Sequence, residues 1–257
     1  MARNDVEFIR ALATRAARDK HGQFFVEGER FVISALTTRT KVDRVFVVAG
    51  RRLVPTLSKL LAQRHVRVCE LSRAQFESVS LASQPSGVGA IVRKSFGDLR
   101  LRRKRGPWLC VEDVRSKGNL GSALRTAAAF NASGLIVLGE ALDVHDPLVV
   151  RATMGAHFFV PIVRTTPLRL RRWCRKQRVR IVGSSAQGQR DLRQVELGAA
   201  SVLMLGHERS GMSAIQHDLC DEVMRIPISG CVDSLNLATA TSVMLYETWW
   251  RHRGPSR

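Results

Sequence analysis

Cysteine is sparse in this sequence and nowhere paired. Five are present, at positions 69, 110, 174, 220 and 231, an odd number with no CxxC and no Cys/His spacing of a zinc site. A disulfide framework and a structural metal are therefore not expected, and a reducing compartment is. No run of 18 apolar residues occurs, so no membrane-spanning helix is expected. The first twenty residues lack a secretory apolar run. They are amphipathic and Arg-rich, as a transit peptide is, but Asp5, Glu7 and Asp19 argue against one, and the cytoplasm is the expected location. The GxGxxG fingerprint is absent, which argues against a nucleotide-dependent oxidoreductase. There is no internal repeat and no low-complexity tract.

Acidic residues are also scarce. Asp plus Glu number 22 against 41 Lys plus Arg, a formal charge of +19. The isoelectric point is near 11.3. Such an excess points to a polyanionic partner. Of the 41 cations 34 are Arg, whose guanidinium forks grip phosphate bidentately and stack on bases, so the expected partner is nucleic acid. What the chain does have is apolar residues, 45% of 257, enough for one large domain or two ordinary ones.

Up to residue 93 the pattern alternates helix and strand. Residues 4–18 have a helical period, 24–28 read as a strand and 29–36 as a helix. Strands follow at 42–48, 66–70 and 88–93, with helices near 55–63 and 72–80 between them. This is a small α/β unit. SFGDLRLRRKRGPW (95–108) then concentrates charge at Arg102, Arg103, Lys104 and Arg105, either as a solvated linker or as an RNA contact. The expected domains are 1–96 and 108–257, joined by a basic linker at 97–107. The second restarts with a buried strand at 108–114 and a helix at 119–131. Further strands are expected at 135–139, 157–163, 179–185, 201–206 and 223–228, and a long helix at 234–252. Near-continuous apolar strands separated by helices imply a parallel sheet covered on both faces, whose ligands sit beyond the C-terminal strand ends.

Three polar loops fall at such ends. EDVRSKGNLGSALRTAAAF (112–130) carries Gly118, Asn119 and Gly121 into a helix, with Arg125 about one turn in. An Arg so near a helix N-terminus opposes the dipole unless it faces an anion. LGHERSGMS (205–213) places Glu208 between Gly206 and Gly211. The third loop follows Ile226-Pro227, which ends a strand, turns at Gly230 and reaches Ser234-Leu235-Asn236 at the mouth of the last helix.

In this order the loops resemble the three motifs of the SpoU/TrmH family of SPOUT methyltransferases. Asn119, Gly121 and Arg125 match N-x-G-x-x-x-R; Leu205, Gly206, Glu208 and Gly211 match L-G-x-E-x-x-G; Ile226, Pro227, Gly230, Ser234, Leu235 and Asn236 match I-P-x-x-G-x-x-x-S-L-N. The likeness is strong over about the last 150 residues. KHGQFFVEGERFV (20–32) resembles part of the family's substrate-binding domain. One departure is Leu237-Ala238, where many members have Val-Ser.

The resemblance implies a knotted, trefoil C-terminal parallel-sheet domain and a smaller N-terminal α/β RNA-binding domain. It implies methyl transfer from S-adenosylmethionine to an RNA ribose 2′-oxygen, by a homodimer, without metal or membrane. The two-domain layout favours ribosomal RNA. It places the cofactor near Leu205, Gly206, Ile226, Pro227, Ser234, Leu235 and Asn236, and makes Arg125, Asn119, Glu208 and Asn236 the catalytic set. Arg125 is either deprotonated in a dry site, or stays charged and stabilises the developing alkoxide while gripping the adjacent phosphate. The second reading is preferred, because a charged guanidinium has no acceptor. Asn119 would hold Arg125 or the ribose, and Glu208 would anchor Asn119 or its loop. His145, His157, His207 and His217 are read as packing or capping residues. The alternatives are an inert RNA-binding or ribosome-assembly protein on the same fold, a transfer-RNA ribose methyltransferase, and a knotted enzyme methylating a base nitrogen.

Overall fold

A computed structural model describes residues 2–99, 106–198 and 200–253. In chain order the elements are α1 (Ala2–Ala11), α2 (Arg15–His21), β1 (Gln23–Glu27), α3 (Glu29–Thr37), β2 (Val42–Val48), α4 (Pro55–Arg64), β3 (Arg67–Leu71), α5 (Arg73–Glu77) and β4 (Val88–Arg93). After them come β5 (Trp108–Val111), α6 (Lys117–Ala129), β6 (Gly134–Leu138), α7 (Pro147–Ala152), a 3-10 turn (Ala156–Phe158), β7 (Ile162–Thr165), α8 (Pro167–Gln177), β8 (Ile181–Ser184) and β9 (Arg190–Asp191). β10 (Val202–Leu205), α9 (Ala214–Leu219), β11 (Glu222–Arg225) and α10 (Leu237–Arg253) complete the chain.

The chain forms two compact units, one of residues 1–95 with 143–159 and one of residues 96–142 with 160–257. The first unit holds a four-stranded sheet in the order β1-β4-β2-β3. Only β2 and β3 run parallel. Its strands show the two-residue period of a sheet covered on both faces. Phe24, Val26, Val45, Val47, Val88, Ala90 and Val92 pack with α3 and α4. Phe46 and Ile91 face the other way, toward Val6 and Ile9 of α1 and Leu12 just after it. The single helix expected over 4–18 is two, because Thr14 leaves the helix and its side chain accepts the Ala17 N–H as the cap of α2.

Residues 143–159 belong to the first unit although the sequence reading kept them in the second domain. The reason is Arg18, a buried guanidinium that donates to the carbonyls of Leu12 and Ala13 at 2.8 and 2.7 Å and to Asp143 at 2.6 Å. Val150 of α7 joins the same core as Phe24.

The second unit is built on a seven-stranded sheet, order β7-β6-β5-β10-β8-β11-β9. Every pairing is parallel. β10 is inserted between β5 and β8, which precede it in sequence. Trp108, Cys110, Ile136, Met204 and Ile181 form one face, closed by Leu170 and Cys174 of α8 and Leu219 of α9. The alternate residues Leu109, Val111, Leu135, Val137 and Leu203, also fully buried, point to the opposite face. There α6 and α10 lie side by side, with Thr126 and Ser242 3.2 Å apart.

Several boundaries differ from expectation. The strand read over 157–163 begins only at Ile162, because Gly155 turns the chain at φ +95° and residues 156–158 form a 3-10 turn. β11 ends at Arg225, so Ile226-Pro227-Ile228 lies beyond it. The start of the expected linker is docked: Gly97 bridges Val163 in parallel, and Leu99 is buried against β5 and β7. Arg102, Arg103, Lys104 and Arg105, expected to contact RNA, lie outside the described residues.

Candidate active site

Parallel strands leave their C-terminal ends on one edge, so the segments after β5, β8, β10 and β11 gather there. The residue joining the segments after β5 and β10 is Glu208. Its Oε1 accepts the Ser116 N–H at 3.2 Å and the Asn119 Nδ2–H at 3.1 Å, and its Oε2 accepts the Arg115 N–H at 3.3 Å. Asn119 in turn accepts, on Oδ1, the Nδ2–H of Asn236 at 3.0 Å. Asn236 uses its own Oδ1 to accept the Ala238 N–H at 2.9 Å, in the first turn of α10. One line of hydrogen bonds therefore joins all three motif loops, every donor aimed toward the carboxylate. Burial opposes ionisation of Glu208. The bonds from its own backbone N–H, Asn119, Ser116 and Arg115 outweigh that and hold the carboxyl below its ordinary value.

The loop after β10 closes on itself. His207 and Gly211 exchange backbone bonds of 2.8 and 3.0 Å, and the His207 ring accepts the Arg209 N–H at 3.1 Å on Nδ1. Gly206 is obligatory here. A Cβ at that position would lie 2.2 Å from the Gly211 carbonyl carbon and the Met212 nitrogen.

A cleft of about 800 Å³ opens over these loops. Leu205, Gly206, Glu208, Ile226, Pro227, Ser234 and Leu235 line it, as do His207, read from sequence as a packing or capping residue, and Ser184, Ser185, Gln187 and Asp233, which the sequence reading did not single out. A polar SSAQG run at the end of an apolar strand was the available signal for the β8 loop. Asn119 and Asn236 stand beside the cleft through the Glu208 chain rather than in its wall.

Arg125 is placed differently from expectation. Ser116, not Asn119, caps α6: its Oγ accepts the Asn119 N–H. The helix therefore starts at Lys117, and Arg125 sits eight residues in, about 12 Å along the axis. Dipole effects fade within the first turn, so the unfavourable-dipole reading of this residue does not hold. Arg125 is exposed, does not line the cleft, and has no ion pair or side-chain hydrogen bond among the described residues. Of the four histidines, His145 and His157 pack in the first unit, their rings 5.3 Å apart. His207 caps a turn and His217 borders the cleft. Among the described residues no group of three or more His, Cys, Asp or Glu side chains could hold a metal ion.

A crossed parallel sheet with one cleft at its strand ends, closed by three glycine-bearing motif loops, has the design of a SPOUT-type methyltransferase. The comparisons are specific. Residues 107–246 match the model of the SpoU rRNA Methylase family, and residues 3–90 match the MRM3-like substrate binding domain. This chain belongs to the SpoU rRNA methylase family. A 23S rRNA (uridine(2479)-2′-O)-methyltransferase from Streptomyces viridochromogenes is 32% identical over 247 residues, 92% of this chain and 85% of that one. The crystal structure of the SpoU methyltransferase AviRb from the same organism, in complex with AdoMet, aligns with a TM-score of 0.88 at 29% identity over 98% of this chain and 99% of that one. An AdoMet-bound rRNA methyltransferase from Sinorhizobium meliloti aligns at 0.84 with 31% identity, covering 96% and 95% of the two chains.

Proposed function

We propose that this protein transfers a methyl group from S-adenosylmethionine to a ribose 2′-hydroxyl of ribosomal RNA. The observation that carries the reading is the hydrogen-bonded line Asn236–Asn119–Glu208, which ties the three motif loops to one cleft. The cleft chemistry fits the cofactor. Leu205, Ile226, Pro227, Leu235 and Ala240 offer apolar surface for a purine, and Ser185, Gln187, Asp233 and Ser234 offer polar groups for a ribose and an amino acid. When bound, the cofactor supplies an electrophilic methyl on a sulfonium.

The chain's own part is alignment and charge. The Glu208 chain fixes the loops that bear Leu205, Ile226 and Leu235, which is the positional precision an in-line displacement needs. Arg125, charged and solvent-facing, acts as a donor to the RNA phosphate and to the developing alkoxide. Because it does not line the cleft, it is a group that reaches substrate rather than cofactor. The names of the relatives support a ribosomal-RNA substrate, and the crossed order β5-β10-β8-β11 supports the knotted chain path. The protein acts as a homodimer through the exposed aromatics of α10, in the cytoplasm, with Arg102, Arg103, Lys104 and Arg105 contacting RNA. The deciding experiment maps 2′-O-methyl positions in ribosomal and transfer RNA from cells with and without the protein. A site lost from ribosomal RNA with the protein supports the reading, and unchanged maps together with no calorimetric binding of S-adenosylhomocysteine sink it.

A further inference from the structure

α8, PLRLRRWCRKQ, contains no acidic residue. Most of its apolar side is consumed internally: Leu170 and Cys174 are buried in the sheet core, and Trp173 packs edge-on against Trp108 at 6.0 Å. Leu168, in its first turn, stays exposed, and the rest of what it presents outward is cationic. Arg169, Arg172, Arg175 and Lys176 are exposed, at the i, i+3, i+6 and i+7 spacing of one helix stripe, and Arg178 extends them past the C-terminus. None of the five has an ion pair or side-chain hydrogen bond among the described residues. Arg171 and Arg180, by contrast, are paired with Asp221 and Glu222. Like charges three and four residues apart disfavour a helix, so the stripe does not serve helix stability. The helix is held instead by its Thr166 cap, Pro167 at N1 and its buried side. A surface built for solubility mixes signs, and a membrane-binding helix keeps an apolar face free; α8 does neither.

α8 also touches an element of the cleft: Arg171 donates to the carbonyl of Asp218 on α9, and the preceding residue, His217, borders the cleft. α8 sits on the sheet face opposite α6 and α10, so an assembly through α10 leaves it open.

We propose that the outward face of α8 is a second RNA-binding surface, on which Arg169, Arg172, Arg175 and Lys176 contact phosphates of the same RNA whose ribose enters the cleft. The inference rests on the ribosomal-RNA reading above. Each neutralised phosphate steepens the fall of log K with log salt by roughly 0.7 to 0.9. The test compares the full-length protein with Arg169→Gln/Arg172→Gln/Arg175→Gln/Lys176→Gln, titrating an unmodified 23S rRNA transcript between 50 and 300 mM salt. The slope is expected to drop by about three, with S-adenosylhomocysteine affinity unchanged by calorimetry. A companion carrying Arg→Lys at the three arginines keeps the charge and is expected to restore the slope. An unchanged slope in the glutamine variant, with the unaltered protein binding steeply, overturns this inference alone. No salt-dependent rRNA binding by the unaltered protein overturns the substrate reading and this one with it. Loss of binding to phosphatidylglycerol vesicles with rRNA binding intact assigns the face to a membrane and also overturns it.

Discussion

Direction matters in the Asn236–Asn119–Glu208 line. Both asparagine amides donate toward the carboxylate, which accepts from Asn119 and two backbone N–H groups. In Glu208→Gln one oxygen becomes an NH2 that must face another donor, whichever way the amide turns. An unmet donor costs roughly 1–3 kcal/mol. Turnover is expected to fall about tenfold to a hundredfold, read from single-turnover methylation of ribosomal RNA. Because the Glu208 carboxyl lies below its ordinary value, its stabilisation is fully present above about pH 4.3 and disappears only as pH falls through the lower folded value. Arg125→Ala is expected to abolish transfer while S-adenosylhomocysteine affinity stays within severalfold, since Arg125 does not line the cleft; near-normal turnover would remove it from the mechanism. In the first unit, burial lowers His157 to about 4, so it stays neutral in the fold. The unfolded chain takes up that proton below about pH 6.5, so stability falls between roughly pH 6.5 and 4, by ~3 kcal/mol in all. A pH series of urea midpoints with His157→Gln, expected to flatten that fall, tests it. Motif residues were legible in the sequence because their chemistry is local to each loop. The Asn119–Glu208 bond was anticipated only as one of two options, and the Asn236–Asn119 bond not at all, since 117 residues separate those partners.

At the scale of elements, the reading found the strands whose residues are buried on both faces, and it failed where a turn overrode composition. HFFVPIV has the aromatic and β-branched content of a strand, yet Gly155 reverses the chain. The segment then packs Phe158 on Phe24 with ring centroids 6.4 Å apart. The start of α6 was set two residues late because Asn119 is as good a cap as Ser116 by type; the choice is made by Glu208, which takes the Ser116 N–H and fixes the turn. That coupling gives a prediction. Ser116→Ala removes the bond to the Asn119 N–H, a loss of about 1 kcal/mol for a helix cap. It should lower methylation more than thermal stability, because the helix end it loosens carries Asn119. Gly206→Ala is expected to be harsher. The added methyl meets the Gly211 and Met212 backbone rather than a side chain that can yield. Loss of measurable S-adenosylhomocysteine binding with the first unit still folded, followed by hydrogen exchange, is the expected result.

On the whole molecule, net charge was legible at once, whereas its distribution was not. The sequence draws the eye to residues 100–105, while the α8 stripe is interrupted by Leu170, Trp173 and Cys174 and becomes continuous only when those turn inward. The same is true of α10, whose apolar residues gave no way to separate core from seam. Met244 and Leu245 are fully buried, while Tyr246 and Trp250 are 48% and 56% exposed. The two exposed rings stack at 6.1 Å, and Tyr246 meets Phe130, the residue that caps the C-terminus of α6, edge-on at 5.8 Å. Two large aromatics left about half exposed on a cationic protein give up apolar burial worth roughly 1 kcal/mol each, and a second copy of the same face would recover it with two-fold symmetry. Sedimentation equilibrium is therefore expected to show a dimer for the unaltered chain and a monomer for Tyr246→Glu/Trp250→Glu. Neither substitution reaches the core, so the melting temperature of the isolated monomer should move little. If Arg125, on the helix beside this face, is assembled into a working site by the partner, the monomeric variant retains S-adenosylhomocysteine binding and loses methyl transfer. A monomer with full activity would separate dimerisation from catalysis and leave α10 as a surface without a role in the reaction.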